Sequence, residues 1–318
     1  MKVTVTYEIP EIGIEMLQKK FDVEVNRKDR NMTHDELIEA AKTSDGILTV
    51  LSDKIDRDVL EAGRGKLKIV SNYAVGFNNI DLETAGKLGI KVSNTPGVLS
   101  DTTAELAWAL LMSVSRRIAE GDRMVREGKF RGSKPKMLLG SDVYGKTLGI
   151  IGMGRIGQAF AKRAEGFGMN ILYHNRKQLD KITEEKLGAH YTDLETLIKE
   201  SDFISLHTPL TDETRHILNR ERLDLVKKTA YIINTSRGAC IDENYLYEKL
   251  KNRSIAGAGL DVYEFEPEIT KGLTDLENVV LTPHIGSASI ETRNRMSVMS
   301  ASDIINVLEG KTQNNPVI

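Results

Sequence analysis

From the first residue, short apolar runs alternate with segments whose apolar positions recur every three to four residues. Residues 2–7, 23–26, 46–51, 67–72 and 90–94 read as strands, with amphipathic helical segments between them. A parallel strand returns through a crossover helix, so this rhythm predicts an α/β chain with a parallel sheet wrapped by helices. Thr33 and Glu36 place a hydroxyl and a carboxylate three residues apart, a pairing that satisfies helix-start amides reciprocally; Thr192 and Glu195 repeat it. Helices are expected to begin at both places.

A longer helical pattern covers about 101–126, and after a polar stretch rich in Lys and Gly the alternation restarts at Thr147. Residues 147–151, 170–174, 203–207, 230–235, 256–261 and 279–283 give six further strands, the number in a full dinucleotide-binding sheet. The helical spacing of Ile290, Met296, Met299, Ile304, Ile305 and Leu308 has no seventh strand to follow and is expected to return to the first domain. The chain is therefore read as two doubly wound parallel-sheet domains. Residues 1–98 and 288–318 would form a substrate domain, and residues 99–287 a dinucleotide-binding domain inserted into it. The expected active site is the cleft between them, closing by a hinge on cofactor binding.

Composition narrows the function. The 318 residues include 44 basic and 46 acidic side chains, a formal net charge of −2, so no strong field draws the chain to nucleic acid or an anionic membrane. The longest uncharged apolar run, Leu106 to Ser115, is about half of a bilayer-spanning helix. No nucleic-acid or membrane partner is expected. Cys240 is the single cysteine, expected to be a small packed residue, and it points to a reducing compartment, the cytoplasm. The helix around Trp108 is too apolar for one solvated face, and the surplus predicts a subunit contact, hence a homodimer.

The chemistry begins at Gly152-Met153-Gly154-Arg155-Ile156-Gly157, a G-x-G-x-x-G turn placed between a strand and a helix. Gly152 permits the tight turn, Gly154 lets the backbone approach a pyrophosphate, and Gly157 lets the helix pack on the strand. The carboxylate expected about 20 residues on, where it would accept ribose hydroxyls, is missing. Asn175-Arg176-Lys177 stands there instead, a small polar residue and two cations suited to a 2′-phosphate. NADP is favoured over NAD. Arg237, Glu266 and His284 follow later strands, where ligands bind in an open parallel sheet. Of the six histidines, His34 is expected at a helix cap, His190 and His216 on the surface, and His174 and His207 at strand ends. Only His284 combines a strand end with a preceding Pro and a Gly soon after.

These segments, with residues 72–81 (Asn72-Tyr73-Ala74-Val75-Gly76-Phe77-Asn78-Asn79-Ile80-Asp81) and 94–105, resemble the D-2-hydroxyacid dehydrogenase family over essentially the whole chain, in its branch of glyoxylate, hydroxypyruvate and 2-ketogluconate reductases. The resemblance implies a Rossmann cofactor domain inserted into a flavodoxin-like substrate domain. It implies catalytic roles for Arg237, Glu266 and His284, and cofactor contacts near Thr103, Arg155, Ile156, Asn175, Arg176, Thr235, Asp261 and Gly286. It also implies that amides around Val75 and Gly76 hold the substrate carboxylate together with Arg237. Reduction of a 2-keto acid needs a proton donor for the forming alkoxide, which suits His284. A carboxylate, Glu266, would orient the ring, and a guanidinium, Arg237, would grip the carboxylate and polarise the carbonyl. The alternative is a non-catalytic nicotinamide-sensing regulator of the same fold, which would be signalled by loss of a catalytic residue or by long disordered tails; neither is visible. A formate dehydrogenase would carry an amide where Glu266 stands.

Overall fold

A computed structural model describes all 318 residues, and the chain divides into two compact units, Met1–Leu99 with Ser287–Ile318, and Ser100–Gly286. The first unit is built on β1 (Lys2–Val5), α1 (Glu11–Gln18), β2 (Asp22–Val25), α2 (His34–Thr43), β3 (Gly46–Thr49), α3 (Arg57–Ala62), β4 (Ile69–Asn72), α4 (Leu82–Leu88) and β5 (Lys91–Ser93). Its five strands are all parallel, in the order β2-β1-β3-β4-β5. Val3, Val5, Ile47, Leu48, Ile69 and Val70 are fully buried, because helices cover both faces of a parallel sheet and leave no solvated side for alternation. Thr33 caps α2 in a complete box with Glu36.

The second unit opens with α5 (Ser100–Ser115) and α6 (Ile118–Arg126), then β6 (Thr147–Ile151), α7 (Arg155–Glu165), β7 (Asn170–His174), α8 (Lys181–Leu187), β8 (Ala189–Tyr191), α9 (Leu194–Glu200), β9 (Phe203–Leu206), α10 (Arg220–Asp224), β10 (Tyr231–Asn234), α11 (Glu243–Lys251), β11 (Gly257–Leu260) and β12 (Val279–Leu281). The parallel order is β12-β11-β10-β9-β6-β7-β8. The last helix, α12 (Ile290–Leu308), packs in the first unit against α1, β3 and β4. Its Ser297 hydroxyl donates to the Pro10 carbonyl and accepts the Gly13 amide, so close that a Cβ on Gly13 would lie 2.3 Å from Ser297 Oγ.

Three expectations from sequence are corrected here. The sheet has a seventh strand, β8, only three residues long with His190 and Tyr191 exposed, so it carries no apolar run to reveal it. The helical pattern over 101–126 breaks in two: Arg117 takes a left-handed backbone (φ 54°), and its guanidinium reaches Glu120 at 2.7 and 2.8 Å, which starts a new helix. The cap of α9 is Asp193, whose carboxylate accepts the Thr196 amide, one residue later than the Thr192–Glu195 pairing. The helix α5, where a subunit contact is expected, packs within the chain on the sheet and on α7, and Trp108 meets Phe160 edge-on at 5.2 Å and Phe167 at 5.0 Å. No helix is long and apolar enough to cross a membrane.

Candidate active site

In the second unit the strand order reverses between β6 and β9, the place at which ligands bind beyond the carboxyl ends of an open parallel sheet. The glycine turn after β6 stands at that point. Gly152 has φ 98°, and a Cβ on it would lie 2.7 Å from the His207 carbonyl carbon; a Cβ on Gly157 would lie 2.2 Å from the Gly152 oxygen. Gly154, by contrast, faces open space and leaves the start of α7 without a side-chain cap. Unpaired helix-start amides behind a bare backbone form an anion site. Arg155 is exposed beside it, and Ile156 packs on the core below.

At the end of β7, Asn175 Oδ1 accepts the Met153 amide at 2.7 Å, so its one side-chain acceptor braces the glycine turn. Arg176 and Lys177 follow, both exposed, and the field of Arg176 reaches Glu213. Beyond β10 and β11 lie Thr235 and Asp261, both buried. Thr235 Oγ1 and Asp261 Oδ2 have no hydrogen-bond partner in the chain. Buried polar atoms are almost always paired, and two orphans at the carboxyl edge of this sheet fit a polar ligand laid across it. Burial pushes the Asp261 carboxyl up, although Thr282 and the Ile285 amide donate to Oδ1 at 2.6 and 2.8 Å. Gly286 sits against Thr103, its Cβ position 3.3 Å from Thr103 Cγ2. These groups suit a nicotinamide dinucleotide: helix-start amides for a pyrophosphate, and buried donors and acceptors for a carboxamide.

Further along the same edge, three ionisable side chains converge. Arg237 follows β10 in extended conformation, with Asn234 Nδ2 donating to its carbonyl at 2.9 Å and its own Nη1 donating to the Ser236 carbonyl at 2.7 Å. Burial pulls its guanidinium down, while the Glu266 charge supports it. Gly238 lets this loop meet the next one, since a Cβ there would lie 1.8 Å from the Tyr263 carbonyl carbon. Glu266 Oε1 accepts the Tyr263 amide and Oε2 meets His284 Nδ1, each at 2.9 Å. Burial would raise the Glu266 carboxyl, but His284, the Tyr263 amide and the Arg237 charge together outweigh it and hold the group below the ordinary carboxylate range. His284 has a left-handed backbone (φ 53°), fixed by the Asp261 contacts to Thr282 and Ile285 on either side. About a third of each side chain of the pair is exposed, so solutes reach it.

The other histidines are differently engaged. His207 lies over Phe160 with Nε2 on the Ser205 hydroxyl, and burial lowers its imidazole to about 3, so it is neutral. His174 Nδ1 meets the Thr192 carbonyl, and His34 meets Asp56. His34 is the first residue of α2, after the Thr33 cap. Cys240 is buried, its thiol pushed up by desolvation.

In the first unit, Val75 and Gly76 follow β4. Asn94 Nδ2 donates to the Val75 carbonyl and Asn72 Nδ2 to the Gly76 carbonyl, both at 2.7 Å. With both carbonyls held, the two amides are the groups left to meet a ligand oxygen. Asn72 and Asn94 were not singled out as functional by the sequence; the only available signal is an amide side chain at the end of each of two neighbouring strands. Asn234, Gly238 and Asp261 in its bracing of His284 are likewise roles that only the fold reveals.

Residues 108–286 match the family model described as D-isomer specific 2-hydroxyacid dehydrogenase, NAD binding domain. The chain belongs to the D-2-hydroxyacid dehydrogenase family. It is 51% identical over 314 residues to a glyoxylate reductase of Pyrococcus horikoshii, covering 98% of this chain and 93% of that one. Among solved structures, a Thermus thermophilus protein superposes with a TM-score of 0.94 at 43% identity, both chains fully covered. An NADPH-dependent glyoxylate/hydroxypyruvate reductase from Sinorhizobium meliloti, solved with NADP and malonate, gives 0.87 at 32% identity, covering 99% of this chain and 96% of that one. As a D-2-hydroxyacid dehydrogenase family member, this chain is a nicotinamide-dependent oxidoreductase.

Proposed function

We propose that the protein reduces a small 2-keto acid, glyoxylate, hydroxypyruvate or 2-ketogluconate, to the D-2-hydroxy acid, with NADPH preferred. The observation that carries the reading is the His284–Glu266 contact of 2.9 Å in the field of the half-buried Arg237 guanidinium. Glyoxylate stands first because the Pyrococcus horikoshii relative is named a glyoxylate reductase. A nicotinamide cofactor held by Gly152, Gly154, Arg155, Ile156, Gly157, Thr235, Asp261, Thr103 and Gly286 supplies hydride when bound. With Nδ1 on Glu266, His284 Nε2 is the nitrogen that gives its proton to the carbonyl oxygen. Glu266 fixes the ring orientation and stabilises the charged ring. Arg237 offers paired donors to the substrate carboxylate and polarises the carbonyl. The amides of Val75 and Gly76 are proposed as further donors to that carboxylate. A non-catalytic regulator has no need of this donor, carboxylate and guanidinium together.

NADP preference rests on the two cations after β7: no carboxylate stands there to accept ribose hydroxyls, and Arg176 and Lys177 are exposed beside Asn175, whose Oδ1 braces the glycine turn. We also propose a homodimer, a second copy covering α6, which has no buried residue, and the exposed Ile118, Val125, Phe130, Leu139 and Tyr144. One buried cysteine fits residence in the reducing cytoplasm.

The test is a pair of variants. His284→Ala lowers kcat by about 10²- to 10⁴-fold while NADPH still binds. Glu266→Gln keeps a hydrogen-bonding partner for the ring and removes its charge, so the alkaline limb of the reduction profile moves to lower pH. Oxidation of the hydroxy acid, which needs the neutral ring, becomes active at lower pH. A limb that stays or moves upward overturns the assignment.

A further inference from the structure

The segment that carries Glu266 is clamped by a group that takes no part in the chemistry described above. Glu243, the first residue of α11, is 2% exposed. Its carboxylate accepts two amides of that segment: Glu264 at 2.8 Å through Oε2 and Thr270 at 3.1 Å through Oε1. Glu266 lies between those two donors in the chain. The grip is returned, because Glu264 Oε2 accepts the Glu243 amide at 3.2 Å. The other Glu264 oxygen meets His216 Nε2 at 2.6 Å, at the solvent end of the chain of contacts. Glu243 therefore ties both ends of residues 264–270 to the start of one helix.

An acidic side chain at the first turn of a helix is favoured by the helix dipole. That explains why a carboxylate is tolerated at this depth but not why it points away from its own helix toward a neighbouring loop. A helix start needs only a cap, which Asp242 already supplies by accepting the Tyr245 amide. Gly238 adds the second half of the geometry, since it presses the Arg237 loop against the backbone of Tyr263 and Glu264. A displacement of Glu264 thus moves both Glu266 and the wall against which Arg237 rests.

We infer that Glu243 is a positioning residue for the reduction, holding Glu266 within reach of His284 through the Glu264 and Thr270 amides. The inference rests on the reading of Glu266 and His284 as the proton-transfer pair. The charged and titratable groups facing Glu266 are His284, Arg237 and Tyr263, and His284 also feels Asp261. Those facing Glu243 are Glu264, Tyr263 and, through Glu264, His216. None of the others bridges the two ends of the segment.

The experiment is a double-mutant cycle on the full chain with glyoxylate and NADPH, joining Glu243→Gln and Glu266→Gln. Glu243→Gln retains the shape but turns one of two accepting oxygens into a donor facing an amide. The expected result is a fall in kcat of about 10-fold, toward the 10²-fold that small misplacements of a reacting group produce. The KM for NADPH stays unchanged, and the alkaline limb of reduction moves to lower pH, as in Glu266→Gln. In the Glu266→Gln background, adding Glu243→Gln moves the limb no further. A limb that stays in place in Glu243→Gln while Glu266→Gln shifts it, or an equal further shift in the double variant, overturns this inference alone. A Glu266→Gln profile identical to wild type overturns the reading of the site and the inference with it. If Glu243→Gln gives no folded enzyme, His216→Gln loosens the same clamp from its exposed end and is judged by the same outcomes.

Discussion

At the scale of single residues, one contact decides whether a side chain is chemistry or scaffold. Asn175 illustrates this: by residue type it belongs to a cofactor pocket, yet its carbonyl oxygen closes on Met153 of the glycine turn. Under the proposed preference for NADPH, discrimination against NADH falls to Arg176 and Lys177. A lost charge-assisted contact to phosphate costs about 1.5 to 3 kcal/mol, which corresponds to about 10- to 10²-fold in affinity. Arg176→Ala is accordingly expected to raise the KM for NADPH by that factor and to leave NADH nearly unchanged. Parallel changes for the two cofactors in steady-state kinetics would reject the role. Residue type together with the family resemblance selected Arg237, Glu266 and His284, which the fold brings to one edge of the sheet. They did not reveal Glu243 or the bracing of the His284 loop by Asp261, because the partners of those carboxylates lie 21 to 27 residues away and are met only in the fold.

At the scale of elements, the strands and their order of appearance were legible because parallel strands buried on both faces leave uninterrupted apolar runs, as in Ile69-Val70 and Tyr231-Ile232-Ile233. Illegible elements were those held by something other than apolar burial. The edge strand β8 owes its place to a ladder with β7, and the division between α5 and α6 to the left-handed Arg117. The turn after β4 belongs with them: its shape comes from amide side chains at the ends of β4 and β5. Asn94→Ala leaves the Val75 carbonyl without its partner, and the freed peptide unit is expected to rotate. Loss of an oriented amide worth about 1.4 kcal/mol raises the KM for the keto acid about tenfold. The KM for NADPH should not follow, since Asn94 lies in the first unit and the glycine turn in the second. Equal increases in both constants would show a general loss of structure instead.

At the scale of the whole molecule, the near-neutral charge and the single cysteine narrowed the expected functions, and the apolar helix around Trp108 raised the expectation of a subunit contact. Within the chain α5 meets the sheet and α7, with Trp108 on Phe160 and Phe167. The unpaired apolar surface belongs to the stretch that follows. α6 has Ile118 and Val125 at 54% and 61% exposure and no buried residue, and Phe130, Leu139 and Tyr144 extend the surface at 50%, 64% and 77%. Isolated exposed apolar residues are ordinary; five within 27 positions on a helix and the arm after it call for a cover. If the cover is a second copy, the wild-type chain sediments as a dimer, and Val125→Asp combined with Leu139→Asp shifts it toward a monomer. The thermal midpoint should fall and become dependent on protein concentration, as mass action requires for a fold stabilised by association. None of the five residues belongs to a packed core, so the variant is expected to fold. A wild-type chain that sediments as a monomer at micromolar concentration, or a double variant that remains a dimer, would place the subunit interface elsewhere.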